Sequence, residues 1–239
     1  MNYSWNWSIL IQQPYLGWLV SGLELTLVIS ISAWALALIA GTMVDVIGSF
    51  PHRVPRAMAA TYVGLFRNIP LLLQLFLWFF VVPELLPDGW GYWLKRDLPF
   101  PEFWTSILAL GLFTSARVAV QVGSGITAVS RGQRLAAFAS GMSAAQAYRL
   151  VLLPQAFRIV LPPLTSDFLT VFKNSALALT IGVFELTAQS RQIESFTFQG
   201  FEAFTAATIV YLAIALLVTF FMRGLERRVA LPDIMGAAS

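Results

Sequence analysis

Long apolar segments constrain this chain more than any other feature. A helix needs about 20 apolar residues to cross the hydrocarbon core of a bilayer, and five segments of the sequence reach that length. They cover approximately residues 22–44, 62–82, 104–126, 164–187 and 204–222. Because an isolated strand cannot satisfy its backbone hydrogen bonds in lipid, all five segments are predicted to be helices. The sequence therefore predicts an all-α membrane protein, with a single transmembrane domain over residues 1–239.

Composition supports a membrane location and excludes several functional classes. Charged residues make up 11% of the chain, against about 25% in a typical soluble domain. The low share of charged residues therefore predicts a lipid environment. The formal net charge of +3 is expected to come from basic residues in the cytoplasmic loops of a membrane protein, and no binding to nucleic acid is predicted. The sequence has no cysteine and one histidine, His52. This excludes a disulfide framework, thiol catalysis and a Cys or His metal cluster, and no metal site is predicted.

The basic residues divide unequally between the two sides of the five segments. One side carries Arg53, Arg56, Arg131, Arg134, Arg149, Arg158, Arg223, Arg227 and Arg228. The other side carries Lys95, Arg96 and Arg191. Because cytoplasmic loops are enriched in Lys and Arg, the first group is expected in the cytoplasm. The N-terminus is then predicted to lie outside the cell and the C-terminus inside.

A polar insertion of small residues interrupts the apolar segments over residues 127–163. Within it, residues 132–140 are predicted to form a short helix, and Gly141 can adopt the left-handed conformation that ends such a helix. Ser143, followed three residues later by Gln146, is typical of a capping box, so a second short helix is predicted there. Such small residues permit close approach by a partner protein. The alternative is a surface amphipathic helix that stabilises the loop.

Prolines are expected to shape the exit from this insertion. Pro154 is predicted to stop or bend the second short helix, because proline lacks a backbone N–H and its ring crowds the preceding turn. Pro162 and Pro163 follow just before the fourth apolar segment. The insertion is therefore predicted to stay outside the membrane until about residue 163, where the fourth spanning helix begins.

The spacing within this insertion resembles that of a known protein family. Leu135-Ala136-Ala137 is followed by three residues, Gly141, nine residues, Val151, one residue and Leu153-Pro154. This pattern resembles the EAA loop of ATP-binding-cassette importer permeases, although a leucine stands where those proteins usually have the glutamate. Further runs resemble the polar amino-acid permeases, and most of all their glutamate/aspartate branch. These runs are Phe66-Arg67-Asn68-Ile69-Pro70-Leu71-Leu72, Phe172-Lys173-Asn174-Ser175, Ala178-Leu179-Thr180-Ile181-Gly182 and Phe196-Thr197-Phe198-Gln199-Gly200-Phe201.

The resemblance implies a fold and a set of partners. The fold would be that of a type I importer permease, with about five transmembrane helices and a cytoplasmic coupling helix that docks on an ATPase dimer. The residues implied in docking are Leu135, Ala136, Ala137, Gly141, Met142, Ser143, Leu153 and Pro154. A second permease subunit (a copy or a paralogue), an external amino-acid-binding protein and a multi-pass location in the bacterial inner membrane are also implied. The chain has no Gly-rich phosphate-binding loop. ATP and magnesium would therefore be bound by the ATPase, and this chain is predicted to hold no cofactor and to be no enzyme.

Lys173 lies near the middle of the fourth segment, where an ionisable side chain is costly and commonly functional. Asn174 and Ser175 follow it, and neither favours a regular helix, so the helix is predicted to unwind locally. An ammonium group in such a place suits the carboxylate of an anionic substrate, and the resemblance implies that this stretch faces bound amino acid. The alternative is that Lys173 pairs with Glu24 or Glu185 only to hold helices together.

Two arginines extend the prediction of an acidic substrate. Arg67 comes shortly before Pro70, which is predicted to kink the second segment. Its guanidinium can bind a carboxylate bidentately or reach the lipid headgroups. Arg117 lies within the third segment, where it is expected either to pair with one of the two glutamates named above or to attract the substrate. Asp167 and Glu185 are themselves expected at the membrane interfaces.

The sequence thus favours a permease subunit of an ATP-driven importer of glutamate, aspartate or related polar amino acids. A membrane enzyme is disfavoured because no nucleophile and base can be assembled within the segments. A self-sufficient channel or secondary transporter is the remaining alternative. The absence of an internal repeat in the sequence disfavours the inverted-repeat architecture of many secondary transporters.

Overall fold

Helices account for all regular secondary structure in the computed structural model, which describes residues 3–50 and 52–229. The α-helices are α1 (Tyr15–Gly48), α2 (Arg53–Asn68), α3 (Leu71–Phe76), α4 (Val82–Leu85), α5 (Asp88–Tyr92), α6 (Pro101–Ala128), α7 (Arg131–Ala139), α8 (Ala144–Ala147), α9 (Leu153–Asn174), α10 (Leu186–Thr197) and α11 (Gly200–Val229). The segments with π-helical geometry are Leu77–Val81, Trp93–Asp97 and Tyr148–Leu152, and the 3-10 helices are Trp7–Ile11 and Ser175–Ile181. Residues 1, 2, 51 and 230–239 of the predicted domain lie outside the described part of the chain.

Three helices, α1, α6 and α11, are each long and apolar enough to cross a membrane. Two further candidates are bent pairs: α2 with Leu71–Leu85, bent by 105°, and Ala144–Ile181 with α10, bent by 50°. Counting each bent pair as one span gives up to 5 spans by length and composition. The predicted all-α fold with about five spanning segments is confirmed, but the second and fourth segments are not straight.

The sharpest bend separates α2 from α3 and falls at Ile69 and Pro70. Ile69 has an extended backbone, with φ −91° and ψ 127°, because the ring of a following proline disfavours helical geometry in the residue before it. The kink predicted at Pro70 is thus confirmed, and it is large enough to turn one predicted helix into two.

The helix that carries the fourth segment begins much earlier than predicted and continues from Ala144 through Ile181. The prediction that Pro154 stops or bends the second short helix is therefore wrong. In the π-helical turn before Pro154, the N–H of Leu153 donates to the carbonyl of Tyr148, five residues back. Pro154 then occupies the first turn of α9, where a missing N–H is tolerated.

Helix α6 lies at the centre of the bundle and packs against α1 on one side and α9 on the other. A Cβ atom at Gly41 of α1 would lie 2.6 Å from the carbonyl oxygen of Ser115 in α6. One at Gly125 of α6 would lie 2.9 Å from the carbonyl oxygen of Ala156 in α9. Membrane helices commonly pack through small residues in this way. The buried apolar side chains around these contacts are Ala37, Val118, Val122, Ile126, Val129, Leu152, Ala156, Val160 and Leu164.

A buried polar cluster joins α1, α10 and α11. The carboxylate of Glu185, which is fully buried, accepts hydrogen bonds from the backbone N–H of Thr187 at 2.9 Å and of Ala188 at 2.8 Å. The Tyr211 hydroxyl of α11 also donates to it, at 2.8 Å. The Thr26 hydroxyl of α1 accepts from the first N–H of α10 at 3.1 Å. Glu185 therefore caps α10 from inside the bundle.

Candidate functional site

Two predicted substrate residues line the same cavity. A cavity of about 410 Å³ lies beside α2 and α6, and its walls are formed by Arg67, Phe113, Arg117, Val120 and Gln121. Arg67 comes from the last turn of α2, immediately before the bend. Arg117 and Gln121 are four residues apart on α6, a spacing that places both side chains on one face of a helix.

Arg117 forms an ion pair that the sequence did not indicate. Its Nη2 atom lies 2.8 Å from Oδ1 of Asp167 on α9, and the Nε2 atom of Gln121 donates to Oδ2 of the same carboxylate at 2.5 Å. The Asp167 side chain is 1% exposed and the Arg117 side chain 44% exposed. The pair is therefore buried at its acidic end and open at its basic end, and the guanidinium keeps further N–H donors for a ligand.

This geometry corrects an expectation from the sequence. The partner of Arg117 is neither Glu24, which is exposed, nor Glu185, which caps α10. Asp167 itself is buried within the bundle. The physical reason is the packing of α6 on α9, which brings Asp167 against Arg117. A carboxylate buried there needs a cationic or hydrogen-bonding partner.

Hydrogen bonding fixes α2 beside this cavity. The Tyr62 hydroxyl of α2 and the Ser115 hydroxyl of α6 lie 2.7 Å apart, and the Ser115 hydroxyl also donates to the carbonyl of Leu112 at 2.7 Å. Sequence reasoning assigned no site role to Tyr62, Ser115, Gln121 or Asp167. The one available signal was the four-residue spacing of Arg117 and Gln121 within an apolar segment.

The stretch Lys173–Ser175 lies where α9 passes directly into a 3-10 helix, which is wound more tightly than an α-helix, so the predicted local unwinding at these residues is wrong. Lys173 is exposed, Asn174 is half-buried and Ser175 is fully buried, with its hydroxyl donating to the carbonyl of Phe172 at 2.7 Å. These residues do not line the cavity of Arg67 and Arg117. Within residues 3–50 and 52–229, Lys173 forms no ion pair, so the alternative of pairing with Glu24 or Glu185 is wrong.

The second region of interest is the predicted coupling segment. Helix α7 begins after Ser130, whose hydroxyl accepts from the N–H of Gln133 at 3.4 Å. It ends at Ala139, and Gly141, two residues later, has φ 80°. The N–H of Met142 donates to the carbonyl of Ala137 at 3.2 Å, as expected for a helix closed by a left-handed residue. The short helix and the left-handed conformation predicted for Gly141 are confirmed.

The capping box that follows is also confirmed. The N–H of Gln146 donates to the hydroxyl of Ser143 at 3.3 Å, and the N–H of Ser143 donates to the side-chain oxygen of Gln146 at 2.8 Å. This box starts α8, and the chain then continues as helix through Leu153 and Pro154.

The side chains of α7 divide between an exposed face and an anchored face. Leu135 is 67% exposed and Phe138 45% exposed, whereas Ala137 is 5% exposed and packs within the chain. An exposed apolar pair at this spacing forms one helix face, and such a patch is typical of a protein interaction site. Ala136 is exposed beside it. Ala137 can therefore support the shape of this segment but is not accessible on that face.

Polar contacts connect α7 to α6 and α9, the two helices that form the Arg117–Asp167 ion pair. The Nη2 atom of Arg134 donates to the carbonyl of Ile126, in the last turn of α6, at 3.3 Å. The side chains of Gln133 and Gln155 hydrogen bond to each other, which joins α7 to the start of α9. The two helices that hold Arg117 and Asp167 are thus the two to which α7 is attached.

Comparison with known proteins gives consistent results. The family model described as "Binding-protein-dependent transport system inner membrane component" matches residues 33–231. The chain is 43% identical to the glutamate/aspartate import permease protein GltJ of Escherichia coli (strain K12), with 99% of each chain covered. It is 29% identical to the arginine transport system permease protein ArtQ of Bacillus subtilis (strain 168), with 92% of this chain and 96% of the relative covered.

Solved structures share the fold. A chain from the crystal structure of an amino acid ABC transporter with histidines superposes with a TM-score of 0.78 at 29% identity, covering 95% of this chain and 100% of the other. A chain of the MetNI methionine ABC transporter in an inward-facing conformation gives a TM-score of 0.73 at 20% identity, covering 92% of this chain and 100% of the other. The second likeness concerns the fold alone.

Proposed function

Because the chain belongs to the family of binding-protein-dependent transport system inner membrane components, we propose that it forms the substrate pathway of an ATP-driven importer of glutamate, aspartate or related acidic amino acids. Its fold is that of a type I importer permease. It is a transport subunit and not an enzyme, as its relatives are permeases.

The convergence of Arg67 and Arg117 on one cavity carries the proposal of an acidic substrate. Asp167 offsets one of the two guanidinium charges, so these residues leave one net positive charge at the cavity. An acidic amino acid at neutral pH has one net negative charge, whereas glutamine has none. A guanidinium binds a carboxylate through charge-assisted, often bidentate, hydrogen bonds. The cavity therefore suits a glutamate or aspartate side chain better than its amide.

We place Lys173, Asn174 and Ser175 farther along the same pathway. They lie about 1.7 to 2.2 helical turns beyond Asp167, where α9 ends and the 3-10 helix begins. The exposed ammonium of Lys173 would attract the substrate carboxylates, and Asn174 offers an amide for its polar groups. Ser175, whose hydroxyl is engaged with the backbone, would support the shape of this turn.

The proposed coupling segment comprises Leu135, Ala136, Ala137, Gly141, Met142, Ser143, Leu153 and Pro154. The exposed apolar face of α7 would dock into a groove on a cytoplasmic ATPase dimer. The buried Ala137 and the left-handed Gly141 would give the segment its shape. ATP and magnesium would bind to the ATPase, and its movements would pass through α7 to α6 and α9.

The remaining partners follow from the same proposal. A second permease, either a copy or a paralogue, would face this chain across the pathway, and an external binding protein would deliver the amino acid. The chain would span the bacterial cytoplasmic membrane several times, with its N-terminus outside and its C-terminus in the cytoplasm, as the distribution of arginines favours.

Reconstitution in proteoliposomes tests this function. The complete transporter, with its ATPase and binding protein, should take up glutamate and aspartate only when ATP is present, and glutamine should compete poorly. The chain reconstituted alone should move neither. Uptake by the isolated chain without ATP would instead favour a channel or secondary transporter, and preference for glutamine would contradict the acidic substrate.

A further inference from the structure

The bend between α2 and α3 leaves several backbone carbonyls without their helical partners, and those of Phe66 and Ile69 are two of them. In a continuous helix, the carbonyl of Phe66 would accept from the N–H four residues later, but that residue is Pro70, which has no N–H. The carbonyl of Ile69 precedes the first turn of α3 and lies outside its hydrogen-bond ladder. Unpaired carbonyls are costly where water is excluded, and most of all within a membrane.

One buried side chain satisfies both carbonyls. The Nε2 atom of Gln74 donates to the Phe66 carbonyl at 2.9 Å and to the Ile69 carbonyl at 3.0 Å. Gln74 is 3% exposed, so the contact is shielded from solvent. A primary amide has two N–H groups, and here both are directed at the break. Gln74 therefore acts as a clamp that joins the first turn of α3 to the last turn of α2.

We propose that Gln74 is a positioning residue for transport: its amide holds the 105° bend and thereby directs Arg67 toward the cavity. Arg67 follows Phe66 directly, so a fixed Phe66 carbonyl fixes the backbone that carries the guanidinium. The contact of Tyr62 with Ser115 holds the preceding turn against α6. This inference rests on the proposed function only for the role of Arg67, and the dependence of the bend on Gln74 can be measured separately.

The angle of the bend can be measured as the distance between two spin labels, one on each side of it. The chain contains no cysteine, so spin labels can be attached at Met58→Cys on α2 and Leu85→Cys on α4, where the native side chains are 65% and 78% exposed. With a rise of 1.5 Å per residue, a bend of 105° places the two Cα atoms about 24 Å apart, and one straight helix would separate them by about 40 Å. Samples that carry only one of the two labels serve as controls, because any distance they give must arise between two copies of the chain in the assembled transporter.

Gln74→Met keeps the length of the side chain and removes both donors. We expect the distribution of label distances in the assembled transporter to become about twice as wide and its mean to increase. The reason is that the Phe66 and Ile69 carbonyls lose their hydrogen-bond donors. Pro70→Ala combined with Gln74→Met restores a backbone donor for Phe66 and should move the distance toward the value for a straight helix. Leu73→Met, at an exposed neighbouring position, is the matched control and should leave the distance unchanged.

A second variant guards against loss of folding. Gln74→Glu keeps the shape of the side chain, and as a protonated acid at this buried position it retains at most one of the two donors, so it should shift the distance in the same direction as Gln74→Met but by less. An unchanged distance distribution in both variants would overturn the clamp.

Kinetics test whether the bend positions Arg67. In the reconstituted transporter, Gln74→Met should raise the KM for glutamate about as much as Arg67→Gln does, and it should raise KM more than it lowers kcat. Combining the two substitutions should raise KM little beyond either alone, because both disturb the same contact. A changed bend with an unchanged KM would overturn the positioning role. No effect of Arg67→Gln itself, with a bend that still depends on Gln74, would overturn the proposed substrate site and leave the clamp supported.

Discussion

Replacing Arg67 with glutamine tests the acidic-substrate proposal directly. Asp167 already offsets the charge of Arg117 at 2.8 Å, whereas no carboxylate pairs with Arg67 among residues 3–50 and 52–229. Arg67 thus supplies the net positive charge of the cavity. Arg67→Gln removes that charge and keeps a polar side chain that can still donate hydrogen bonds.

The size of the effect follows from the position of Arg67. Hydrogen bonds to charged groups contribute about 1.5–3 kcal/mol, and because Arg67 is exposed water screens its charge, so the lower end of that range applies. About 1.5 kcal/mol corresponds to a factor of roughly 10 in affinity. We therefore expect the KM for glutamate to rise about tenfold, while competition by glutamine, which has no side-chain charge, changes by less than about twofold.

The assay is uptake of labelled glutamate by the reconstituted transporter, with glutamine as competitor and saturating binding protein. Arg191→Gln, which removes an exposed arginine on α10 outside the cavity, is the matched control and should leave KM unchanged. An equal loss for glutamate and glutamine, or no loss for either, would refute the assignment of Arg67 to the substrate carboxylate.

Three further substitutions address other parts of the molecule. Asp167→Asn leaves the guanidinium of Arg117 without its counter-charge and should lower the thermal unfolding midpoint, at a cost of about 1–2 kcal/mol after allowance for the exposed guanidinium. Gly141→Pro imposes a negative φ where the structure has 80°, and it removes the N–H that donates to the carbonyl of Phe138 at 3.0 Å. ATP-driven uptake should therefore fall at least about tenfold, while the protein still inserts into the membrane. Glu185→Gln places an amide opposite hydrogen-bond donors and should destabilise the protein by about 1–3 kcal/mol, measured as a lower melting temperature.

Each of these substitutions has a control or a contrary outcome. Gly132→Ala, at an α7 glycine with no neighbouring atoms within 4 Å of an added Cβ, should retain uptake. Glu24→Gln changes an exposed acid and should leave the melting temperature unaltered. Normal uptake by Gly141→Pro would speak against the coupling role of α7, and an unchanged melting temperature in Asp167→Asn would mean that the buried pair contributes nothing to stability.

Features that depend on neighbouring residues could be predicted from the sequence. The left-handed Gly141 and the capping box of Ser143 and Gln146 follow from spacings of a few residues, and both occur as expected. These two features require no knowledge of how the helices pack. The unwinding expected after Lys173 from the local preferences of asparagine and serine does not occur, because the chain continues there as a 3-10 helix.

Features that depend on packing could not be predicted in the same way. Asp167 finds Arg117 because α9 lies along α6, and the two residues are 50 positions apart in the sequence. The sequence suggested an interfacial acid at Asp167 and, for Arg117, a pair with Glu24 or Glu185 or a role in attracting the substrate. The continuation of the helix through Pro154 was also not predicted, because proline was expected to end the helix. In the structure, a π-helical turn precedes Pro154, and the N–H of Leu153 donates to the carbonyl five residues back.

The contacts of α7 suggest how motion at the proposed ATPase interface could reach the substrate. Arg134 holds α7 to the end of α6, and the contact between Gln133 and Gln155 holds it to the start of α9. A rotation of α7 would therefore move α6 and α9 unequally. The Arg117–Asp167 ion pair bridges those two helices. Relative sliding of α6 and α9 would stretch this pair and free the guanidinium to hold, or release, a substrate carboxylate. Arg117 would then have two roles, as part of the cavity wall and as one partner of an ion pair that responds to movement between α6 and α9.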